Sequence, residues 1–452
     1  MATELECRLS RRGGANIKAI IPQIKDAIQE KKKKNTANID LATAENWLIR
    51  SEIVDICKSA IAQELVEKHL SYPRGLTGDP DLVEAFAIFF NKYFNPHRPV
   101  QPQHVAAAPG ASSCIDSLLY NICDPGEGVL IPGPYWNGFD IGFRLRSSVV
   151  PVLVTLSSFN ASFTDELIPA LEEAINTAGC PIKALIITNP HNPLALCYPK
   201  SILEDCLRFC KRHGIHFISD EVYALSRFKN PEIKEPVPFV SALSLDAESI
   251  GGDGSRLHVV WSLSKDFGQS GFRMGCVINQ GDAEMIFGVA LAANNQISSL
   301  SAICATNLLN SPRLSRLIST NSDRLLEAYT KLTSFLKEQD IPYIPCDAGL
   351  YVLARLAPNA ETWDDEADMI MRFKRVGVLV SPGRAYHGPD GEKGWMRVLF
   401  SVQPDVLSGA IERMKGVSEK YRMEKGASRI DSKVKRPIKE TDEAESVKRA
   451  RI

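Results

Sequence analysis

Lys265 stands in the segment SLSKDFGQSGFRMG (262–275), with Ser262 three residues before it, Ser264 beside it and Arg273 eight residues after it. A lysine is a surface residue by default. This one follows directly on the apolar run LHVVWSLS, in a stretch rich in serine and glycine. The end of a strand is where an α/β sheet presents side chains to a ligand crevice. Hydroxyls and a guanidinium gathered around one amine suit a site that anchors a phosphate beside an imine-forming lysine.

Further chemistry-bearing residues sit at the ends of other apolar runs. ITNPHNP closes one run and ISDEVY the next, so that Asp220 falls 28 residues after Asn192 and Tyr223 follows three later. Alone, Asp220 reads as a turn residue at a strand end. Gly110, Ala111 and Ser112 open an amphipathic helix in PGASSCIDSLLYNI. Unpaired backbone donors at a helix start, with the helix dipole behind them, form a phosphate site, although many Gly/Ala/Ser turns open helices without one. Arg397 lies in the middle of the apolar run GWMRVLF. A guanidinium there is costly unless it meets an anion, either a ligand or a protein carboxylate.

The elements that must position these residues alternate along the chain. GVLIPGP (128–134) and SVVPVLVTL (148–156) read as strands, FTDELIPALEEAINTA as a helix, KALIITNP as a buried strand. The next helix is either led by Pro199 in its first turn or capped by Ser201 with Glu204 three residues on. IHFISDEVY and LHVVWSLS are two more apolar strands. Strands separated by helices imply a mostly parallel sheet covered on both faces. The stretch 229–256, rich in Pro, Gly, Ser and charge, reads as a surface excursion. From about 312 a long helical pattern leads into a second α/β set: CDAGLYVLARL, a helix through EADMIMRFKRVG, then GVLVSPG and GWMRVLFSV. The predicted organisation is an N-terminal arm joined to the small domain (1–74), a large domain (75–310), an interdomain helix with the C-terminal small domain (311–420), and a tail (421–452). Lacking apolar periodicity and mixed in charge, the tail is predicted to be disordered.

Composition limits the function classes. The 452 residues are 44% hydrophobic and 24% charged, and 53 Lys+Arg balance 54 Asp+Glu to a net charge of −1. Near-neutrality argues against a nucleic-acid or membrane-surface protein, and no apolar run has the length to span a bilayer. The opening MATELECRLSRRGG has no apolar core behind its charges, so it does not read as a secretory signal, and a cytoplasmic location is expected. The 11 cysteines are scattered through apolar patterns without a CxxC pair, which favours reduced buried thiols over a disulfide framework or a metal site. KVKRP and KRAR in the tail are weak basic patches, better read as solvated charge than as a nucleic-acid-binding arm.

Taken together, these segments resemble the class I/II aminotransferase superfamily, fold type I of the enzymes that use pyridoxal 5'-phosphate, over residues from about 40 to 400. The resemblance implies a homodimer of α/β subunits, each with a large, mostly parallel sheet between helices and a smaller α/β domain, and with the active site at the interface. It implies that Lys265 carries the cofactor as a Schiff base, that Ser262, Arg273 and Ser264 bind its phosphate along with the Gly110–Ala111–Ser112 turn, and that Asp220 pairs with the ring nitrogen. It further implies that Asn192 and Tyr223 bond the ring's phenolic oxygen, that Trp136 stacks on the ring where a structural tryptophan is the alternative, and that Arg397 takes the α-carboxylate of an amino-acid substrate. A glycine usual in the family after NPx is Ala195 here.

IDLATAENWL (39–48) resembles the N-terminal segment of 1-aminocyclopropane-1-carboxylate (ACC) synthases. That similarity implies substrate contacts for Glu45 and Ala44, and Tyr72 as the tyrosine reaching a partner subunit's site. Trp136, where ACC synthases have tyrosine, and SYPRGLTG are departures from that subgroup. Its relatives include aminotransferases of secondary metabolism and C–S lyases. The lysine amine freed by a substrate can move the Cα proton in either reaction. The expected function is therefore aminotransferase or ACC-synthase-like turnover of an α-amino acid, with elimination from a sulfur-containing amino acid as the alternative and a catalytically retired regulator as a third reading. The substrate side chain is expected to pack around Glu45, Tyr72 and Arg384.

Overall fold

A computed structural model describes residues 9–32, 38–293 and 297–434. Its strands, in chain order, are β1 (Ile39–Asp40), β2 (Val105–Ala108), β3 (Gly128–Pro132), β4 (Val150–Val154), β5 (Ile182–Thr188), β6 (His216–Asp220) and β7 (Leu257–Ser262). They continue as β8 (Gly275–Ile278), β9 (Tyr351–Ala354), β10 (Val378–Leu379), β11 (Ser381–Pro382) and β12 (Met396–Leu399).

The fold class is α/β. Seven strands form one sheet in the order β2-β8-β7-β6-β5-β3-β4. β8 runs antiparallel to both its neighbours, and the pairs β7–β6, β6–β5, β5–β3 and β3–β4 are parallel. Every residue of β2, β3, β7 and β8 is buried, as expected for strands covered by helices on both faces. The helix Lys200–His213 returns the chain between β5 and β6. It presents Ile202, Leu203, Cys206, Leu207, Phe209 and Cys210 to the core, carries Lys211, Arg212 and His213 in its last turn and ends on Gly214 at φ +65°, a cationic, left-handed C-terminus. Pro199 is the capping residue before Lys200, and Ser201 lies inside the helix and does not cap it.

Behind β7 an aromatic cluster fixes the strand that carries the lysine. Trp261 is fully buried, with Phe89 at 4.7 Å and Phe90, Phe267, Phe94 and Phe86 within 6.3 Å of its ring.

A smaller antiparallel sheet, ordered β11-β12-β9, is extended by the parallel pair β1–β10. Leu41 joins the two groups, donating its N–H to Leu379 and accepting from Leu399. The helix Leu314–Glu338 runs between the two sheets: Leu314 and Leu317 pack in the core of the large one, Leu325 through Leu336 in the core of the small one.

Two expectations need correction. The stretch 229–256 is only partly a surface excursion, since Ala242, Leu243 and Leu245 are core residues. The buried Glu221 ties them down, accepting from Ser241 Oγ at 2.6 Å and from the Ala242 N–H at 2.7 Å. The last helix runs Pro404–Val434, past the point at which composition predicts ordered structure to stop. It packs Leu407, Ala410, Met414, Val417 and Tyr421 in the small core. Residues 435–452, with both basic patches in part or whole, lie outside the described residues. No helix among the described residues is long and apolar enough to cross a membrane.

Candidate active site

The parallel strands and β8 direct one set of strand ends into one crevice. Asp220 closes β6, Ser262 closes β7, and Arg273 lies just before the antiparallel β8, whose first residue is at the same end of the sheet. Asn192 and Gly110 lie in the connections after β5 and β2. A cavity of about 350 Å³ is lined there by Ala44, Ala111, Ser112, Trp136, Asn192, Asp220, Tyr223, Ser262, Ser264, Lys265, Arg273 and Arg397. Residues from 44 to 397 thus converge on one space.

The turn bearing Lys265 is held by its neighbour. Asp266 is buried and accepts from Trp261 Nε1 at 2.8 Å, Ser226 Oγ at 2.7 Å and the Leu225 N–H at 3.2 Å. Burial pushes this carboxyl up to about 7 despite those bonds. Ser262 caps the same turn, its Oγ accepting from the Ser264 N–H at 3.4 Å. Lys265 Nζ donates to the Ala44 carbonyl at 2.6 Å. Burial, then the positive charge of Arg397, lowers the lysine to about 8, with Glu45 and Asp220 opposing. The amine is therefore neutral in an appreciable fraction of molecules near neutrality, the form that acts as nucleophile or base.

Asp220 is buried and its Oδ1 has no hydrogen-bond partner among the described residues. Burial raises the carboxyl to about 7, against the Val222 N–H and the charge of Lys265. A buried acceptor without a donor is costly, and a protonated ring nitrogen is the kind of donor that would relieve it. Tyr223, buried edge-on against Tyr351 at 5.5 Å, is pushed up to about 12, chiefly by burial, and so remains a hydroxyl donor.

Arg397 is buried in β12 with no carboxylate paired to it among the described residues. Its Nη1 donates to Asn192 Oδ1 at 2.9 Å and its Nη2 to the Ala42 carbonyl at 2.6 Å, while Nε has no partner. Its guanidinium lies over the rings of Tyr351 and Tyr386, at 4.5 and 5.2 Å. The internal salt bridge that could have explained a buried arginine is not what holds it.

At the opposite end, Gly110 is at φ +81°, and a Cβ there would come within 2.6 Å of Arg273 Nη2. Arg273 donates to the carbonyls of Ser270 at 2.7 Å and Pro109 at 3.1 Å, which holds its charge beside the first turn of the helix Ala111–Ile122. Free backbone donors and a cation so placed could hold a phosphate. Trp136 borders the cavity and packs edge-on to Phe139 at 5.4 Å; Gly138 has no room for a Cβ, which would lie 2.2 Å from the Trp136 ring. A ring-shaped cofactor with one phosphate and one basic nitrogen fits these residues: the subsite at Gly110 and Arg273 for the phosphate, Asp220 for the nitrogen, Lys265 for the aldehyde.

Some sequence-derived residues fall elsewhere. Glu45 is not on the cavity wall; its carboxylate accepts from Ser270 Oγ at 2.7 Å and Arg50 Nη2 at 2.8 Å. Arg384 turns toward Trp363, 5.7 Å from its ring. Tyr72 is 89% exposed on a separate face, beside a second cavity of about 270 Å³. Conversely, Ser270, Tyr386 and Ser381 border the site and were not singled out by the sequence reading. The Tyr386 hydroxyl and Ser381 Oγ are 2.7 Å apart. Nothing local distinguishes these residues; only their spatial position against Arg397 does.

Comparison with known proteins identifies the family and the fold. A family model described as aminotransferase class I and II matches residues 50–414. The chain is 51% identical over 409 residues to a probable aminotransferase, aclI, of Aspergillus oryzae, covering 90% of this chain and 97% of that one. It is 32% identical over 427 residues to a mouse protein named probable inactive 1-aminocyclopropane-1-carboxylate synthase-like protein 2, covering 90% and 71%. Among solved structures, a Thermus thermophilus aspartate aminotransferase mutant superimposes with a TM-score of 0.72 at 22% identity, covering 90% of this chain and 99% of that one; at that identity the likeness concerns the fold.

Proposed function

The chain belongs to the class I and II aminotransferases, PLP-dependent enzymes, and from that premise we propose that it holds pyridoxal 5'-phosphate on Lys265 and transfers the amino group of an α-amino acid. The observation that carries this reading is the buried Asp220 oxygen that has no donor among the described residues, in the same cavity as Lys265 and an arginine that pairs with no carboxylate among them. Bound there, pyridoxal phosphate supplies an electron-withdrawing ring that makes the substrate's Cα proton acidic. Arg397 presents two N–H groups for the substrate carboxylate and is steadied by Asn192 and the Ala42 carbonyl. Asp220 as a carboxylate keeps the ring nitrogen protonated. Tyr223 and Asn192, in the same cavity, would offer polar atoms to the ring. The Lys265 amine, lowered to about 8, removes the proton from Cα and returns it elsewhere.

The similarity of residues 39–48 to ACC synthases favours elimination as the second reading. Its proton abstraction uses the same amine. A panel of amino acids, each with an added keto-acid acceptor, assayed for keto acid, ammonia, thiol and ACC separates the two: keto acid with the amino group recovered on the acceptor and no free ammonia supports transfer, and keto acid with ammonia and thiol, or ACC, supports elimination. Lys265→Ala is expected to abolish turnover and the visible absorbance of the bound cofactor. Full activity in that variant refutes the assignment of the lysine, whereas a purified wild type without visible pyridoxal-phosphate absorbance revives the regulatory reading.

The dimer expected for the family is proposed to form through the face around residues 70–76. Leu70 is 85% exposed and Tyr72 89%, which is unusual for apolar side chains this large unless a partner covers them. Sedimentation of the holoenzyme as a monomer counts against it.

A further inference from the structure

Glu45 lies one residue from the carbonyl that accepts from Lys265, yet its carboxylate is committed away from the cavity. Its backbone is pinned, because Ser401 Oγ donates to the Glu45 carbonyl at 2.8 Å, and next to it a Cβ on Gly268 would lie 2.3 Å from the Asn46 carbonyl. Segment 44–46 is thus pressed against the loop 265–270. Both carboxylate oxygens are used: Oε1 accepts from Ser270 Oγ at 2.7 Å, Oε2 from Arg50 Nη2 at 2.8 Å. Arg50 is immobilised in turn, its guanidinium lying 3.6 Å from the Trp47 ring centre. Turning Glu45 into the cavity would break two charge-assisted bonds and leave Arg50 without its carboxylate.

The other end of this chain of contacts is the phosphate subsite. Ser270, fixed through its hydroxyl by Glu45, offers its carbonyl to Arg273 Nη1 at 2.7 Å. Arg273 has a backbone at φ +55° and spans from there to the Pro109 carbonyl, against Gly110. The direction of its guanidinium therefore depends on where Ser270 is held.

We propose that Glu45 is a positioning residue: through Ser270 it aims Arg273 at the phosphate subsite, and so governs how tightly the cofactor phosphate is held, while making no contact with substrate. This rests on the reading of the cavity as a pyridoxal-phosphate site.

The test compares holoenzymes of the wild type, Glu45→Gln and Ser270→Ala, with dissociation constants measured for pyridoxal phosphate and for pyridoxal, which lacks the phosphate. Ser270→Ala breaks the link while leaving the carboxylate and Arg50 in place, so it remains informative if Glu45→Gln folds poorly. Both variants are expected to lose pyridoxal phosphate on the order of tenfold more readily, the equivalent of one hydrogen bond. Their affinity for pyridoxal is expected to stay at the wild-type value. Unchanged cofactor affinity with a raised KM for the amino acid overturns the proposal and makes Glu45 a substrate contact. Equal losses for both cofactor forms overturn it too, since the effect is then not aimed at the phosphate. A wild type that binds neither form defeats the underlying site assignment, which the other two outcomes leave standing.

Discussion

Arg397 donates to the side-chain oxygen of Asn192 at 2.9 Å, so one hydrogen bond joins the small sheet's β12 to the loop after β5 of the large sheet. The group proposed to take the substrate carboxylate is aligned by a group proposed to touch the cofactor ring. The two proposed subsites therefore share one hydrogen bond.

That contact predicts coupling. Arg397→Lys keeps the charge but loses the planar pair of donors, and kcat/KM for an α-amino acid is expected to fall by about 2–5 kcal/mol of transition-state binding. Asn192→Ala should cost less alone, and the double variant should cost less than the sum of the two. Additive losses in steady-state kinetics would mean the bond does not align the arginine.

Gly110→Ala should act on the cofactor alone. At φ +81° any side chain is strained, and its Cβ would stand 2.6 Å from Arg273 Nη2. The guanidinium must move, so pyridoxal phosphate is expected to dissociate faster while KM at saturating cofactor stays close to the wild-type value. Fluorescence titration of the cofactor reads this directly.

Asp220 predicts a pH dependence of stability in the cofactor-free protein. Its carboxyl is raised to about 7 by burial, so between its ordinary value near 4 and about 7 the folded state binds more protons than the unfolded one. Stability from this group is present at the acid end and is lost as pH rises through 7. Asp220→Asn should flatten that part of the profile in denaturant melts. Glu221 and Asp266, raised to about 7 by the same cause, retain their share of the slope.

Ala195 tests a departure from the family pattern. It is buried at φ +56°, a conformation that costs a residue with a Cβ about 1–2 kcal/mol. Removing the methyl forfeits about 0.8 kcal/mol of burial. The two nearly offset, so Ala195→Gly is expected to change stability by less than about 1 kcal/mol. Ala195→Val, β-branched in the same strained turn, should destabilise by more than about 2 kcal/mol. A calorimetric loss of that size for the glycine variant would contradict the strain argument.

The amino-acid order by itself determined the alternation of strands and helices and the strand-end placement of Asp220, Asn192, Ser262 and Lys265, because apolar periodicity and the strand-end rule are local properties of the chain. Only the tertiary structure decided where side chains aim across long separations. It turned the Glu45 carboxylate to Ser270 and Arg50, set Tyr72 on an outer face, gave Asp266 its three donors, and brought Tyr386 under Arg397. Most of these depend on hydrogen bonds and packing contacts between segments far apart in sequence, such as Glu45 with Ser270, Asp266 with Ser226 and Arg397 with Ala42, and no spacing along the chain encodes them.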